Sequence, residues 1–590
     1  MNSTHKLRII FFVLGLYFQT ISSADVQYDF IVVGAGASGA ACAARLSEHG
    51  RFRVLLLEAG GTPLYVTTIP YFASGPFGGP SAWHFITEPQ EFALESYVNR
   101  QMLWARGLSL GGSTNINGMF FTRGSPYDYD GWRDMGNEGW GWDDVLPLFK
   151  KLEDYQGPLY QESDGQYHGY GGPMTASQPP YRSNLVDPFL DSAQAIGLRQ
   201  VDYNTPGQTG FTYPVFILRN GTRCSTYCGY LKPILKRKNL HIMTYANVTH
   251  VLFDQNKRAT GVRYMKNGKF SVAYATKEII LSAGPIKTPH ILMLSGVGPK
   301  DTLDQFKIPI VADVPGVGQN LQDHPGVLGA VFTANPDIGI NPMIDATSEN
   351  MELWETQGLG PFSVPSRATG IGFVNTRFAN TSIDYPDIEI IVFQPPPAVV
   401  GLRPEIIGPA FVPQENKAVI VPFPLILRPK SRGYMTIRST DPFDLPVLDP
   451  RYLSDESDVE VLLEGVKITY QLMQQQPLKD VGVDPLGSIL PGCENFEQYS
   501  DDYFRCQIRG YLCTSFHPVG TCKMGPASDP TAVVDPQLRV RGVTNLRVID
   551  SSIFPVIPTG HTMVPSIMVG EKGAEMIKQA WRNGRNPYVH

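Results

Sequence analysis

An α/β fold, α+β overall, is what this sequence predicts, and three features carry the prediction. Residues 28–46 read as strand, glycine turn and helix. Residues 54–57 read as a second strand closing on an acidic residue, and strand-like runs recur far downstream at 388–393 and 435–437. The first two describe a Rossmann-like dinucleotide-binding core, and the third a separate domain built on a largely antiparallel sheet with helices. Strand patterns at 251–253 and 278–282 resemble the core again, so the core is expected to be discontinuous. It is assigned residues 25–175, 225–325 and 510–590, and the second domain residues 176–224 and 326–509.

The first element is a β-branched and aromatic run from Tyr28 to Val33, followed by Gly34-Ala-Gly36-Ala-Ser-Gly39 and an Ala-rich helical stretch. Gly34 permits the tight turn, Gly36 lets backbone approach a pyrophosphate, and Gly39 lets helix and strand pack closely, with the helix N-terminus aimed at the negative charge. The second strand ends in Glu58, nineteen positions after Gly39. A carboxylate there is placed to accept the ribose hydroxyls of a dinucleotide.

Composition bounds the rest. The chain has 590 residues, 42% hydrophobic and 18% charged, enough for two to four domains at roughly 100 to 200 residues each. A formal net charge of −6, spread without long basic or acidic runs, leaves no electrostatic footprint for nucleic acid. His5, Lys6 and Arg8 precede an apolar run over 9–18 and then Ser22-Ser23-Ala24, which reads as a signal peptide over residues 1–24. A membrane anchor needs roughly 20 apolar residues, and this run has ten. The mature chain is therefore expected to be secreted, without stable membrane insertion, and open to N-glycosylation at Asn220, Asn247 and Asn380.

Of the seven cysteines, Cys42 falls in the first helix and reads as a free core thiol. Cys224, Cys228, Cys493, Cys506, Cys513 and Cys522 remain as possible disulfide formers, with connectivity open. The Cys224-x3-Cys228 pair lacks a second ligand pair at zinc spacing, so no metal is expected. Export bears on the cofactor: a freely exchanging nicotinamide is scarce outside the cell, whereas FAD travels tightly bound. The core is thus expected to be an FAD-binding domain.

Four further stretches carry a family resemblance. Gly107 to Gly124 resembles the first signature of the glucose-methanol-choline family of FAD oxidoreductases, and Gly284 to Gly298 resembles its second. Gly316-Val-Gly-Gln-Asn-Leu-Gln-Asp-His324 and His517-Pro-Val-Gly-Thr-Cys-Lys-Met-Gly525 also match, in family order. One departure is Leu108, where the first signature usually has Lys, Arg or Asn, which puts one polar contact near the cofactor in doubt. The resemblance implies that Gly34, Gly36, Ala37, Ser38 and Gly39 hold the pyrophosphate, with Glu58 and Ala59 at the ribose. It places Ser113, Asn117, Gly118 and Met119 beside the phosphates and flavin ring, and Val248 at the adenine. Asp550 falls near the ribityl chain, and Thr562 and Met563 at the flavin's pyrimidine edge.

Alcohol oxidation needs a base for the hydroxyl proton while the carbon gives hydride to the flavin. Histidine suits it, with an unperturbed pKa of about 6.5. The resemblance makes His517 the base and His561, 44 positions on, its hydrogen-bonding partner. His84, His290 and His324 read as ordinary surface or core residues. Trp83, Phe85, Phe120, Phe121, Phe393 and Phe516 are candidates to line an apolar pocket.

The reading that follows is a secreted FAD-dependent oxidase of a small aromatic alcohol or a mandelonitrile-like cyanohydrin, with O2 as acceptor. It rests on a resemblance to secreted arthropod members of the family. The alternatives are a dye- or quinone-linked glucose or alcohol dehydrogenase, or a hydroxynitrile lyase on the same scaffold. A serine hydrolase is a third class, because Gly107-Leu-Ser109-Leu-Gly111 satisfies the nucleophile-elbow pattern; it leaves the glycine fingerprint unexplained.

Overall fold

The structure, a computed structural model, describes residues 27–73, 79–158, 166–394, 417–582 and 587–588. The expected signal segment lies outside them. Tyr28–Val33 lies inside a seven-stranded sheet. It pairs in parallel with Val54–Leu57 on one side and with the end of the long strand Lys269–Leu281 on the other. Leu240–Met243 and Leu546–Val548 extend this parallel core at its two sides. Every residue of Val54–Leu57 is buried, as a parallel strand covered on both faces requires. Asn247–Phe253, Ala259–Lys266 and Lys269–Leu281 add an antiparallel meander, so the runs at 251–253 and 278–282 do belong with the first strand.

A second, eight-stranded sheet is antiparallel throughout. Asp484–Pro485, Phe332–Ala334, Ala418–Ile426, Ile388–Phe393, Ala368–Val374 and Gly210–Thr212 follow one another, and Pro325–Val327 joins Leu512–Thr514 to Ala418–Ile426. The strand expected at 435–437 is not part of it. Tyr434–Thr436 forms a two-stranded ribbon with Val447–Asp449, and Met435 donates its N–H to the Gly318 carbonyl at 2.7 Å, binding the ribbon to that loop instead.

Helix Ala37–Leu46 packs against helix Met563–Ala580. The approach is close because Gly570 carries no Cβ: one built there would sit 2.4 Å from the Ser38 carbonyl. The buried carboxylate of Glu571 pins the same contact, accepting from Arg45 Nε at 2.8 Å and from the Tyr230 hydroxyl at 2.7 Å. Both helix N-termini therefore open onto one space between the two sheets. Among the described residues no helix is long and apolar enough to cross a membrane. The one disulfide among the described residues is Cys493–Cys506, and Cys42 is a fully buried thiol.

Candidate active site

The space between the sheets is a cleft of about 1000 Å³. At one end it is lined by Gly34, Gly36, Ala37 and Ser38 of the glycine turn, by Glu58 and Ala59, and by Val248. Gly34 has φ +95°, and Gly112, at φ +53°, lies so near that a Cβ on it would come 2.7 Å from Gly36 Cα. A Cβ on Gly36 or on Gly284 would meet nothing within 4 Å, so the volume these glycines leave free is cleft. Glu58 accepts the N–H groups of Ala35 and Gly60 at 2.9 and 2.8 Å, and burial pushes its carboxyl up to about 7. A glycine-walled volume, a carboxylate at a strand end and two helix starts fit FAD, pyrophosphate against the glycines.

Gly39 alone of the expected cofactor residues does not line the cleft. Its Cβ would lie 1.9 Å from the Gly34 carbonyl, so it serves the packing of helix on strand. Ser113, Asn117, Gly118, Met119, Asp550, Thr562 and Met563 all line the cleft. Asp550 braces the wall by accepting the Gly284 N–H at 2.9 Å and the Thr288 hydroxyl at 2.7 Å. Met119 holds φ +71°, an uncommon conformation for a side-chain-bearing residue that concentrates at functional sites. Leu108 does not line the cleft; its backbone serves instead, N–H to the Ser81 carbonyl at 2.7 Å.

At the other end stand the two histidines, ring centroids 4.8 Å apart and nearly perpendicular at 83°. His517 follows strand Leu512–Thr514 of the second sheet. The buried carboxylate of Asp323 fixes this turn, accepting the His517 N–H at 2.8 Å, the Thr514 hydroxyl at 2.5 Å and the Tyr452 hydroxyl. Phe516 takes φ +60° within it, and Arg106 donates to the Phe516 carbonyl at 2.6 Å. His561 precedes the last helix. Its ring stacks on Phe120 at 4.6 Å and 10°, and its Nε2 reaches Glu389 Oε1 at 2.9 Å.

A third histidine completes the group. His324 Nδ1 lies 3.1 Å from His517 Nδ1, and His324 Nε2 lies 2.9 Å from the Leu427 carbonyl oxygen. A carbonyl only accepts, so Nε2 of His324 carries the hydrogen. Burial holds His324 down to about 3, so the ring is neutral and its Nδ1 is a bare acceptor. His517 must then donate from Nδ1, which leaves its Nε2 lone pair free. Burial, followed by the effects of His561, His324 and Arg106, holds His517 well below the ordinary histidine value. A neutral imidazole with an uncommitted nitrogen in a cleft is equipped to take a proton.

The cleft also presents a large apolar surface. Phe393, Phe516, Trp83, Phe85 and Phe120 line the cleft as expected, joined by Phe423, Ile391 and Leu328. Phe121 is the exception, fully buried outside it. Ser109 is also buried and accepts from Asn115 at 2.9 Å; it lies outside the cleft, so the hydrolase reading has no nucleophile there. His324 and Glu389 were missed by sequence reasoning. His324 stood inside a matched motif, and Glu389 is the lone acid in the apolar strand Ile388–Phe393; each was a usable signal.

Of the three sequons, Asn220 and Asn380 are exposed, whereas Asn247 is half-buried and lines the cleft. Lys287, in the second signature stretch, also lines the cleft. It lies 5.5 Å over the Trp83 ring and donates to His290 Nδ1 at 2.9 Å.

Comparison with known proteins gives one consistent result. The N- and C-terminal models of the GMC oxidoreductase family match residues 28–326 and 429–570. A glucose dehydrogenase [FAD, quinone] of Drosophila pseudoobscura pseudoobscura is 38% identical over 95% of this chain and 88% of its own length. Human mitochondrial choline dehydrogenase is 36% identical over 94% and 91%. Among solved structures, a pyridoxine 4-oxidase from Mesorbium loti superposes with a TM-score of 0.79 at 28% identity, covering 93% of this chain and 99% of that one.

Proposed function

This chain belongs to the GMC oxidoreductase family as an FAD-dependent enzyme acting on CH–OH groups, and we propose that its substrate is a small apolar alcohol, aromatic or a mandelonitrile-like cyanohydrin, oxidised with O2 as acceptor. The observation that carries the substrate class is the wall facing the two histidines. Phe393, Phe423, Phe516, Ile391 and Leu328 offer contact area but no hydrogen bonds from their side chains. A sugar brings many hydroxyls, and each one set against these side chains would be desolvated without a partner, at a cost of about 1–3 kcal/mol. An aromatic ring matches this wall in shape and polarity.

Bound in the cleft, FAD supplies the acceptor for the hydride of the carbinol carbon. The chain's own part is proton handling and orientation. His517 takes the hydroxyl proton at Nε2, and His324 keeps that nitrogen bare by accepting from Nδ1. Glu389 accepts from His561 Nε2 and fixes that ring, leaving its other nitrogen to hydrogen-bond the substrate hydroxyl. Phe120 holds the His561 ring in plane. The aromatic wall keeps water from the reacting carbon.

The test is a panel of benzylic alcohols, mandelonitrile, glucose and choline, followed by peroxide and cyanide assays in parallel. Peroxide from aromatic alcohols or from mandelonitrile supports the reading. Turnover confined to glucose or choline overturns it, and so does cyanide release with no flavin reduction. A second reading, a quinone-linked dehydrogenase, is favoured by the likeness to the fly glucose dehydrogenase; turnover only with quinone or dye would establish it. We also propose export, supported by the charged and apolar pattern of the first 24 residues.

A further inference from the structure

The loop 111–117, which supplies Gly112, Ser113 and Asn117 to the cleft wall, rests on a short segment from Arg223 to Cys228. Arg223 donates to the Thr114 carbonyl at 3.1 Å and to Asn117 Oδ1 at 2.7 Å. The Thr226 N–H donates to the Thr114 hydroxyl at 3.1 Å. A cysteine stands at each end of the Cys224–Cys228 stretch, and their sulfurs are 3.0 Å apart. Cys224 is fully buried, whereas Cys228 is half-buried, in the first turn of the helical segment Tyr227–Leu231. Arg219 Nη1 lies 4.0 Å from the Cys228 sulfur and is itself anchored by the Pro173 carbonyl and the Thr175 hydroxyl, both at 2.8 Å.

We propose that Cys224 and Cys228 form a peroxide-reactive dithiol, Cys228 attacking and Cys224 resolving, which closes into a second disulfide. Three features support it. The sulfurs already touch, so bonding them needs only a small side-chain rotation within a segment whose backbone is held by its neighbours. The two cysteines differ in the way a reactive pair must: one is reachable from outside and beside a guanidinium, and the other is buried behind it. Donation from the Cys224 thiol, helped by the charges of Arg219 and Lys232 and opposed by burial, draws Cys228 down to about 6, while Cys224 moves up.

The other thiols make a built-in control. Burial pushes Cys42 and Cys513 up to about 12, and Cys522 well above the usual value. A hydroperoxide should therefore find one reactive sulfur among the unbridged cysteines. The Cys228 thiolate attacks the peroxide oxygen and the O–O bond breaks, giving a sulfenic acid and hydroxide. The Cys224 thiol then attacks that sulfur, the S–O bond breaks, and water leaves. Two thiols and one hydrogen peroxide become one disulfide and two waters, with sulfur oxidised and peroxide oxygen reduced. A pair of thiols alone is no metal site, and among the described residues no group of three or more His, Cys, Asp or Glu could hold one.

The test uses holoenzyme reduced by mild dithiothreitol, exposed to hydrogen peroxide, quenched by alkylation and mapped by peptide mass spectrometry. A linked Cys224–Cys228 peptide should form first, with Cys228 reacting on the order of 100-fold faster than Cys513. Cys224→Ser should stop at a sulfenic acid on Cys228 that dimedone traps, and Cys228→Ser should leave Cys224 unmodified. Dithiothreitol should reopen the bond in folded protein. The proposal fails if Cys228 reacts no faster than Cys513, or if an existing bond opens only after unfolding, which would make it a permanent staple. None of these readouts depends on which alcohol the enzyme oxidises.

Discussion

His324 and His517, 193 positions apart in the chain, face each other nitrogen to nitrogen at 3.1 Å, and the carbonyl of Leu427 decides which of the four ring nitrogens carry hydrogen. The donors run one way, from the cleft into the second sheet. An imidazole oriented like this has its second nitrogen bare before any substrate arrives.

Removing the far end of that line should disturb the base without touching substrate. In His324→Phe the Nδ1 hydrogen of His517 loses its buried acceptor, and a cost of about 1–3 kcal/mol corresponds to roughly a 10- to 100-fold loss in kcat/KM. The change should appear in kcat more than in KM. An unaltered pH profile together with unaltered kcat would refute the tautomer argument.

His517→Ala should slow flavin reduction by about 10² to 10⁴ while FAD content, read by absorbance, stays at the wild-type level. Because the folded pKa of His517 is depressed, wild-type kcat/KM should stay level down to about pH 6.5 and fall only below it. A limb rising through pH 7 to 8 would assign the base elsewhere.

Glu389→Gln keeps an acceptor for His561 but deletes the carboxylate. A charge-assisted hydrogen bond contributes about 1.5–3 kcal/mol, so kcat/KM should fall by roughly 10- to 100-fold. His561→Asn should give a loss of similar size, and the double variant should lose little more than either single one. Additive losses would show that the two side chains act separately.

Two buried histidines should give stability opposite dependences on pH. Burial and then Lys287 lower His290 to about 3, so the stability it confers is present above about pH 6.5 and drains away as pH falls toward 3. Burial also draws His168 down, but the carboxylates of Asp202 and Glu153 more than offset this and raise it above the ordinary value. Its contribution is complete below about pH 6.5 and is lost as pH rises through the folded pKa. In urea titrations the penalty of His168→Gln should therefore be larger at about pH 5.5 than at about pH 9, and that of His290→Leu smaller. The same slope for both variants would contradict this assignment.

If the chain is exported, the sugar should follow exposure. Asn220 and Asn380 should carry glycans and Asn247, half-buried at the cleft wall, should not. Glycopeptide mapping of secreted protein decides this, and N-terminal sequencing should begin near Asp25. A glycan on Asn247, or retention of Met1, would count against the reading.

What could be read from the sequence was what repeats locally. The turn Gly34 to Gly39 and the carboxylate of Glu58 have spacings set by one strand and one helix, so they appear as a pattern. The partners of the base do not. His324 meets His517, and Glu389 meets His561, only because the second sheet brings separate strands together. The ribbon at Tyr434–Thr436 went to the wrong sheet for the same reason: alternation shows that a strand exists, not what it pairs with. Cys493–Cys506 could not be singled out among the candidate pairs, since connectivity is a property of the folded chain.

The crossing of Ser38 and Gly570 also bears on how the enzyme is made. The glycine turn leaves the ribosome long before the helix that closes over it and the strand Leu546–Val548 beside it. During synthesis the early half can form its strands and turn, yet the pocket lacks one wall until Leu546–Val548 and Met563–Ala580 are free. Cofactor capture then waits for that helix, and nascent chains stalled short of Leu546 should bind no flavin however long they wait.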